Sequence, residues 1–356
     1  MKFFFKIKSW RCVLIINACL LLLGCVSNTD SIKEQYHDTH ENIRDISDGI
    51  VNIETNYIFG RSKVYIVDDV LVLLELNATD KGIHLFDKNT FKYLTSTGKL
   101  GKGPGEIGSY GYIMPDGKNR RFHMMDYGKK DVLLEFSLDS ILNFSDYQPH
   151  QICGEQHYSF FMLDYAFIND SVALGMAGEV INSNSFLTVM AQLNIHRNEL
   201  TKFGYQHPAA ANENKSVSKF AVSQDNGVYV RCHMNCDLLT IGNLSGDLMC
   251  NVYGPGWNVN AKMDNVYYTG VSFVNNYIIA SYVGDKSFAY DEYQRPRTNW
   301  PTKFKIFELN GRYIETVEIG HEFQNFCVDE ANNRVIIYFE DRPTQLGYIN
   351  LKRDDA

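Results

Sequence analysis

The sequence has little of what most functional classes require. Basic residues are outnumbered, 34 Lys and Arg against 42 Asp and Glu, for a formal net charge of −8. A partner that is itself a polyanion needs a basic footprint on the protein, so this balance excludes nucleic acid. Long stretches with apolar residues at helical spacing are missing, which argues against a helical body. No Ser/His/Asp order, no H-E-x-x-H and no close acid pair in a distinctive setting occurs, and the ten histidines are scattered singly. The chain therefore offers no ready catalytic set.

Cysteine is too irregular to form a disulfide framework. Of eight, Cys12 and Cys19 fall in the N-terminal segment and Cys25 closes it, leaving Cys153, Cys232, Cys236, Cys250 and Cys327, an odd number. The N-terminal segment has the layout of an export signal. Lys2, Lys6, Lys8 and Arg11 precede an apolar run from Val13 to Leu23 that ends in Leu22-Leu23-Gly24-Cys25. That ending resembles a bacterial lipobox, in which the chain is cut before the cysteine and its thiol carries lipid. The run is shorter than the ~20 residues a membrane-spanning helix needs. Residues 1–24 are thus expected as a lipoprotein signal peptide and Cys25 as the lipidated N-terminus, anchored at the cell envelope, in the outer membrane. Loss of the signal removes four basic residues and no acidic ones, leaving 30 against 42 and a net charge of −12. Residues 25–44 are polar, with few apolar side chains to offset the entropy of ordering, and are expected as a flexible tether.

What the rest of the chain has in abundance is short alternating runs separated by polar turns. One phrase recurs: an apolar pair, an acid, Asn or Gly turn, then an apolar strand. It reads VYIVDDVLVLLEL from Val64, YIMPDGKNRRFHMMD from Tyr112, AFINDSVALGM from Ala166, FAVSQDNGVYVRC from Phe220, VSFVNNYIIASYV from Val271 and FCVDEANNRVIIYF from Phe326. Five of the copies are followed by a second hairpin, among them IHLFDKNTFKYLTSTG and LLEFSLDSILNF. Four antiparallel strands every ~50 residues is the period of a propeller blade. The expectation is an all-β, six-bladed β-propeller of four-stranded antiparallel blades over residues 45–356. The last copy runs out one strand short, and IVNIETNYIF, residues 50–59, is spare at the other end. That strand is expected to complete the last blade and close the ring. Two β-sandwiches are the rival all-β arrangement.

Between the first two copies lies GKLGKGPGEIG, residues 98–108, in which Gly103, Gly105 and Gly108 spell G-x-G-x-x-G. A dinucleotide fold needs a helix at those glycines, and SYGYIMPDGKNRRF cannot supply one; a P-loop needs Lys then Ser or Thr after its last glycine. Gly103-Pro104-Gly105-Glu106 instead fits a type II turn, proline setting φ at the second position and glycine supplying φ > 0 at the third. Gly254-Pro255-Gly256-Trp257 has the same form after the fourth copy.

The lipobox, the polar tether, the six-fold phrase and above all Gly101-Lys102-Gly103-Pro104-Gly105-Glu106 resemble the TolB-like six-bladed β-propeller lipoproteins of Bacteroides-type bacteria, over about residues 45–352. Those proteins often carry an aromatic where this chain has Ile107. The resemblance implies an envelope propeller and supplies no catalytic set.

Lys102 and Glu106 are candidate ligand contacts on a propeller face, or a solvated charge pair on a structural turn. The longest irregular stretch within a copy, residues 284–301, holds Tyr290, Tyr293, Arg295, Arg297 and Trp300, residue types enriched at binding hot spots. It reads as a binding loop or as a lid whose aromatics pack on the blade. Arg231-Cys232-His233-Met234-Asn235-Cys236 lacks the order for haem and the second pair for zinc. Cys232 and Cys236 read either as a local disulfide across a tight hairpin or as buried thiols. The expected function is a ligand-binding or protein-interaction module of the envelope, its partner an envelope protein or a small ligand. No cofactor is expected. The alternative is a metal-assisted hydrolase or lactonase with a divalent metal held by carboxylates in the central channel.

Overall fold

A computed structural model describes residues 34–36, 42–128, 132–153, 160–211, 217–258 and 264–351. The expected signal peptide, Cys25 and residues 26–33 of the expected tether lie outside the described residues.

Each repeat phrase folds as the first two strands of a sheet, and in blades 1 to 5 the chain that follows adds the third and fourth. The first strands are Ser62–Val67, Tyr110–Asp116, Phe160–Phe167, Ser218–Ser223, Asn265–Val274 and Phe323–Asp329. Each touches the next around a circle, and the sixth touches the first, so these strands ring a central channel. The protein is a six-bladed propeller.

Packing explains the sequence pattern. Blades stack face to face, so a second strand is covered on both sides and reads as an unbroken apolar run. Val228–His233 and Arg334–Phe339 are buried at every position. The core is accordingly six interfaces, one between each pair of neighbouring blades. Val72, Leu74 and Leu85 meet Phe122 and Phe136 between blades 1 and 2; Val64, Leu71 and Phe86 meet Ile336 and Tyr338 where blade 1 closes on blade 6. The polar turns follow from backbone geometry. Asp68, Arg120, Gly227, Asn275 and Asn333 sit in first-to-second-strand turns with φ of 55°, 48°, 66°, 49° and 48°. Asp, Asn and Gly adopt that left-handed region at least cost.

The ring closes where the spare N-terminal strand was expected, over a shorter stretch. Val51–Asn52 pairs antiparallel with Leu346–Asn350 as the outermost strand of blade 6. Beyond Ile53 the chain leaves the sheet, and the Gln345 side chain substitutes for a strand partner. Its amide donates to the Phe59 carbonyl at 2.9 Å and its carbonyl accepts from the Phe59 N–H at 3.0 Å.

Two expectations need correction. Within the stretch read as tether, Glu34–Tyr36 and Ile43–Asp45 are strands, running parallel to the outer strands of blades 4 and 5. They bond through backbone, with Arg44 held by Glu315 at 3.0 and 3.1 Å, and need no apolar side chains. Scarcity of apolar residues was therefore no guide to them. In blade 2, FSLDSILNF is not a polar hairpin turn. Helix α1, Leu138–Asn143, links the third and fourth strands, is capped by the Ser137 hydroxyl and buries Leu138 and Ile141 in the core between blades 1 and 2.

The two glycine-proline linkers differ. Gly103-Pro104-Gly105-Glu106 is closed by a 3.2 Å bond from the Glu106 N–H to the Gly103 carbonyl, with Gly105 at φ 73°, the geometry of a type II turn. Gly254-Pro255-Gly256-Trp257 is closed by a 3.0 Å bond from Trp257 to Gly254, but Gly256 is not left-handed. Glycine is needed there for room: a Cβ would lie 2.6 Å from the Tyr267 ring.

Candidate functional site

Strand alternation decides what the channel sees. The up-and-down course of each blade puts its blade-to-blade linker and its second-to-third-strand turn on one face, and its other turns on the opposite face. On the linker face the channel opens as a cavity of about 1060 Å³. Four polar side chains from four successive inner strands enter its wall: Lys63, Tyr112, Asp164 and Lys219. The Lys63 Nζ sits 3.3 Å above the centre of the Tyr112 ring. The Lys219 Nζ donates to the Tyr112 hydroxyl at 3.4 Å. One phenol thus contacts two ammonium groups.

The environment biases each group. The Lys219 charge, and then that of Lys63, holds the Tyr112 phenol below the ordinary tyrosine value despite burial. Burial lowers the Lys63 pKa. Burial opposes the Lys219 charge as well, but the charges available on Tyr112 and Asp164 outweigh it, and its pKa rises. Burial raises the Asp164 pKa, with the two lysines pulling it the other way.

The floor of the cavity is a collar of Ile66, Pro115, Ala221, Ser272 and Val328. Beyond it a second cavity of about 770 Å³ opens on the opposite face among Asp68, Asp116, Asp170, Asp225, Asp329 and Glu330. These belong to the polar turns of the repeat phrase. Several are answered by cations: Asp116 by Arg121 at 2.7 Å, Asp329 by Arg334 at 2.9 Å and by Lys88 at 3.4 Å.

The residues singled out from sequence separate into three groups. Arg297 and Trp300 line the larger cavity. They belong to an insertion in blade 5 folded as a small hairpin, Phe288–Tyr290 against Pro296–Thr298. Arg297 reaches blade 6 and grips Glu322 with two bonds of 2.5 and 2.9 Å, which ties the hairpin down beside the mouth. Tyr290 and Tyr293 stand at its tip, 69% and 70% exposed, and Arg295 pairs with Asp291 at 2.7 Å with its guanidinium over Tyr293. Lys102 and Glu106 are not in the wall of the cavity. Lys102 is exposed, and Glu106 folds back on its own linker, accepting from the Gly103 N–H at 2.8 Å and from Lys99 at 2.9 Å.

The disulfide reading is corrected. Cys232 and Cys236 are buried thiols and are not joined in a disulfide. Cys232 pairs across the strands with Leu239, and Cys236 falls in the loop that follows, so the two do not face each other. Neighbouring Arg231 is 1% exposed and fully engaged, bonding Ser218 at 2.8 Å and the Thr188 carbonyl at 3.0 Å.

Sequence reasoning missed Lys63, Tyr112, Asp164 and Lys219. A signal existed. Lys63 and Lys219 each stand immediately before a copy of the phrase, Tyr112 opens one, and Asp164 lies two residues before another. Comparing the polar residues within two positions of the start of each copy would have gathered them.

No protein-family model matches the sequence, and no curated protein does. Solved structures do match. A member of the DUF4221 family from Bacteroides vulgatus superposes with a TM-score of 0.59 at 10% identity, over 85% of this chain and 94% of that one. A Bacteroides fragilis protein described as exported gives 0.55 at 10% identity, over 90% of this chain and all of that one. Regucalcin from Agrobacterium tumefaciens, a calcium-binding protein, gives 0.51 at 8% identity, over 87% and 95%. The shared property is the fold.

A divalent metal does not suit the linker-face cavity. Hard cations take several oxygen ligands, commonly carboxylates. Its wall supplies two carboxylates, Asp164 and Glu340, and four cationic side chains, Arg61, Lys63, Lys219 and Arg297, that repel a metal cation. Among the described residues, no three His, Cys, Asp or Glu side chains gather where they could hold a metal ion.

Proposed function

We propose that the protein is a lipid-anchored propeller of the cell envelope, of the TolB-like type, that binds a small ligand in the linker-face mouth of its channel. The observation that carries this reading is the cavity itself: about 1060 Å³, floored by an apolar collar, walled by converging polar groups and flanked by a pinned hairpin that contributes Arg297 and Trp300. The lipobox-like Leu22-Leu23-Gly24-Cys25 supports the anchor, and a fold neighbour described as exported supports the location. A thermal-shift panel of neutral sugars, polyamines and organic anions on the purified full chain tests the ligand reading. At least one class should raise the melting temperature, and Trp300→Ala should reduce the shift; a panel without a hit counts against it. Radiolabelled palmitate should enter the wild-type chain in cells and not Cys25→Ala. A second reading, docking of an envelope protein on the same face, is favoured by the exposed Tyr290 and Tyr293 at the hairpin tip. Replacing both by Ser should then release a co-purifying partner while leaving small-ligand shifts intact.

A further inference from the structure

We propose that the wall of this cavity is an oxyanion site, in which Lys63 and Lys219 take the carboxylate or phosphate group of a small organic molecule. The inference rests on the channel-ligand reading and names the chemistry of the ligand.

Lys63 and Lys219 come from blades 1 and 4, which are not neighbours in the ring, yet both ammonium groups converge on Tyr112. Among the described residues, neither is in an ion pair with a carboxylate. Lys88, Arg121 and Arg334, half-buried or buried around the opposite mouth, each have one within 3.4 Å. A charge taken out of water is costly unless it is paired, and two like charges drawn together add their own repulsion. Asp164, the one carboxylate among the four converging groups, favours both ammonium charges but forms an ion pair with neither, so one carboxylate serves two cations. The space beside the pair is open cavity instead of packed side chain, so a ligand can supply the missing counter-charge.

The phenol completes the site. Lys219 donates to the Tyr112 oxygen, which leaves the Tyr112 O–H free to donate in turn to an oxyanion, a relay that strengthens both bonds. Phe288 and Trp300 at the rim offer apolar surface for the rest of an organic ligand. Lysine presents a point charge without the planar fork of arginine, which suits carboxylate and phosphate alike.

Inorganic phosphate and citrate serve as probes, titrated into the purified full chain by calorimetry at low and high salt. Each is expected to bind saturably and more weakly as salt screens the charges. Lys63→Met and Lys219→Met should each weaken binding about tenfold or more, a loss of ~1.4 kcal/mol, while Lys63→Arg retains it. A preference for citrate assigns a carboxylate ligand, and a preference for phosphate a phosphorylated one. In buffer free of multivalent anions, Lys63→Met should melt at or above the wild-type temperature, showing that it folds and that this lysine is unsatisfied in the empty protein. The proposal is overturned if neither anion binds, or if both single variants bind as well as wild type. A lower melting temperature for Lys63→Met also overturns it, because protein groups would then already satisfy that lysine. If anions fail while neutral compounds still shift the melting temperature through Trp300, the channel-ligand reading survives and this inference alone falls.

Discussion

On the face of the repeat turns the propeller gathers carboxylates and answers them. Asp116 meets Arg121, Asp329 meets Arg334 and Lys88, and Asp69 meets Arg120 at 2.9 Å. On the linker face it gathers Lys63 and Lys219 around one tyrosine and leaves both without a carboxylate partner among the described residues. Local structure accounts for part of the acidic ring: Asp68 takes a left-handed φ of 55°, and Asp116 and Asp329 accept from the turn residues Asn119 and Asn332 at 2.9 and 2.8 Å. No turn, cap or ladder accounts for the two lysines. A charged residue that its backbone explains is weak evidence of function, and one that nothing local explains is better evidence.

The sharpest way to break this contrast is to remove one cation from each mouth. Arg334 is 7% exposed, bonds the buried Asp329 and lies over the rings of Phe91 and Tyr348 at 4.8 and 5.0 Å. Arg334→Met leaves the buried Asp329 carboxylate to Lys88 and Asn332 alone and should destabilise the protein by up to ~3–5 kcal/mol in urea unfolding. Lys63→Met should leave stability within about 1 kcal/mol of wild type or raise it, the lost contact with the Tyr112 ring being offset by relief of an unpaired charge. Equal losses at both mouths would end the comparison.

Acid should act through the answered mouth. Burial opposes the Asp329 charge, but hydrogen bonds from Asn332 and Arg334 and the charge of Lys88 overcome it, so its folded pKa lies below the unfolded value. A depressed carboxylate pKa contributes stability that is complete above the unfolded value, about 3.9, and is lost as pH falls through the folded one. Stability measured from pH 6 down to pH 2 should therefore drop below about pH 4. The drop should be shallower in Asp329→Asn, which starts from a lower plateau. A parallel curve for the variant would show that other carboxylates dominate.

The fold was legible in the sequence because stacked blades impose one pattern six times: the apolar second strand and polar turn beginning at Val64 recur at Phe220 and Phe326. The closing strand was legible because the last copy lacked one. What could not be read were features that leave no apolar trace, such as the Glu34–Tyr36 and Ile43–Asp45 strands, which are held by backbone bonds to blade edges. The site was legible only at its rim. Arg297 and Trp300 stood out as a cluster of binding-type residues in a long insertion. Lys63, Tyr112, Asp164 and Lys219 are far apart in the chain and ordinary one by one, and only the closed ring makes them a group.

A smaller effect is expected where the rim joins the wall. The Arg297 pair with Glu322 is partly exposed, so Arg297→Met should change global stability by under ~0.5 kcal/mol. It should nevertheless release the hairpin. Amides of residues 287–299 should exchange faster with deuterium, and anion association should change in rate before it changes in affinity. Unchanged hairpin exchange would mean that contacts other than this pair hold it down.

The smallest effect is expected at Glu106, which the sequence offered as a ligand contact and the structure turns inward. Its carboxylate closes the linker by accepting from the Gly103 N–H, and its salt link to Lys99 reaches a side chain that is 57% exposed. Glu106→Gln keeps an acceptor of the same shape and loses the charge. The cost should be at most about 1 kcal/mol, since a charge-assisted bond becomes a neutral one and the exposed link is weak. Phosphate and citrate affinity should not move, because Glu106 is absent from the cavity wall. Lys102→Met should likewise leave anion binding untouched, although it removes a positive charge from the same face. A change in binding with Lys102→Met comparable to that with Lys63→Met would show that ligand attraction is a property of the whole face and not of two lysines converging on Tyr112.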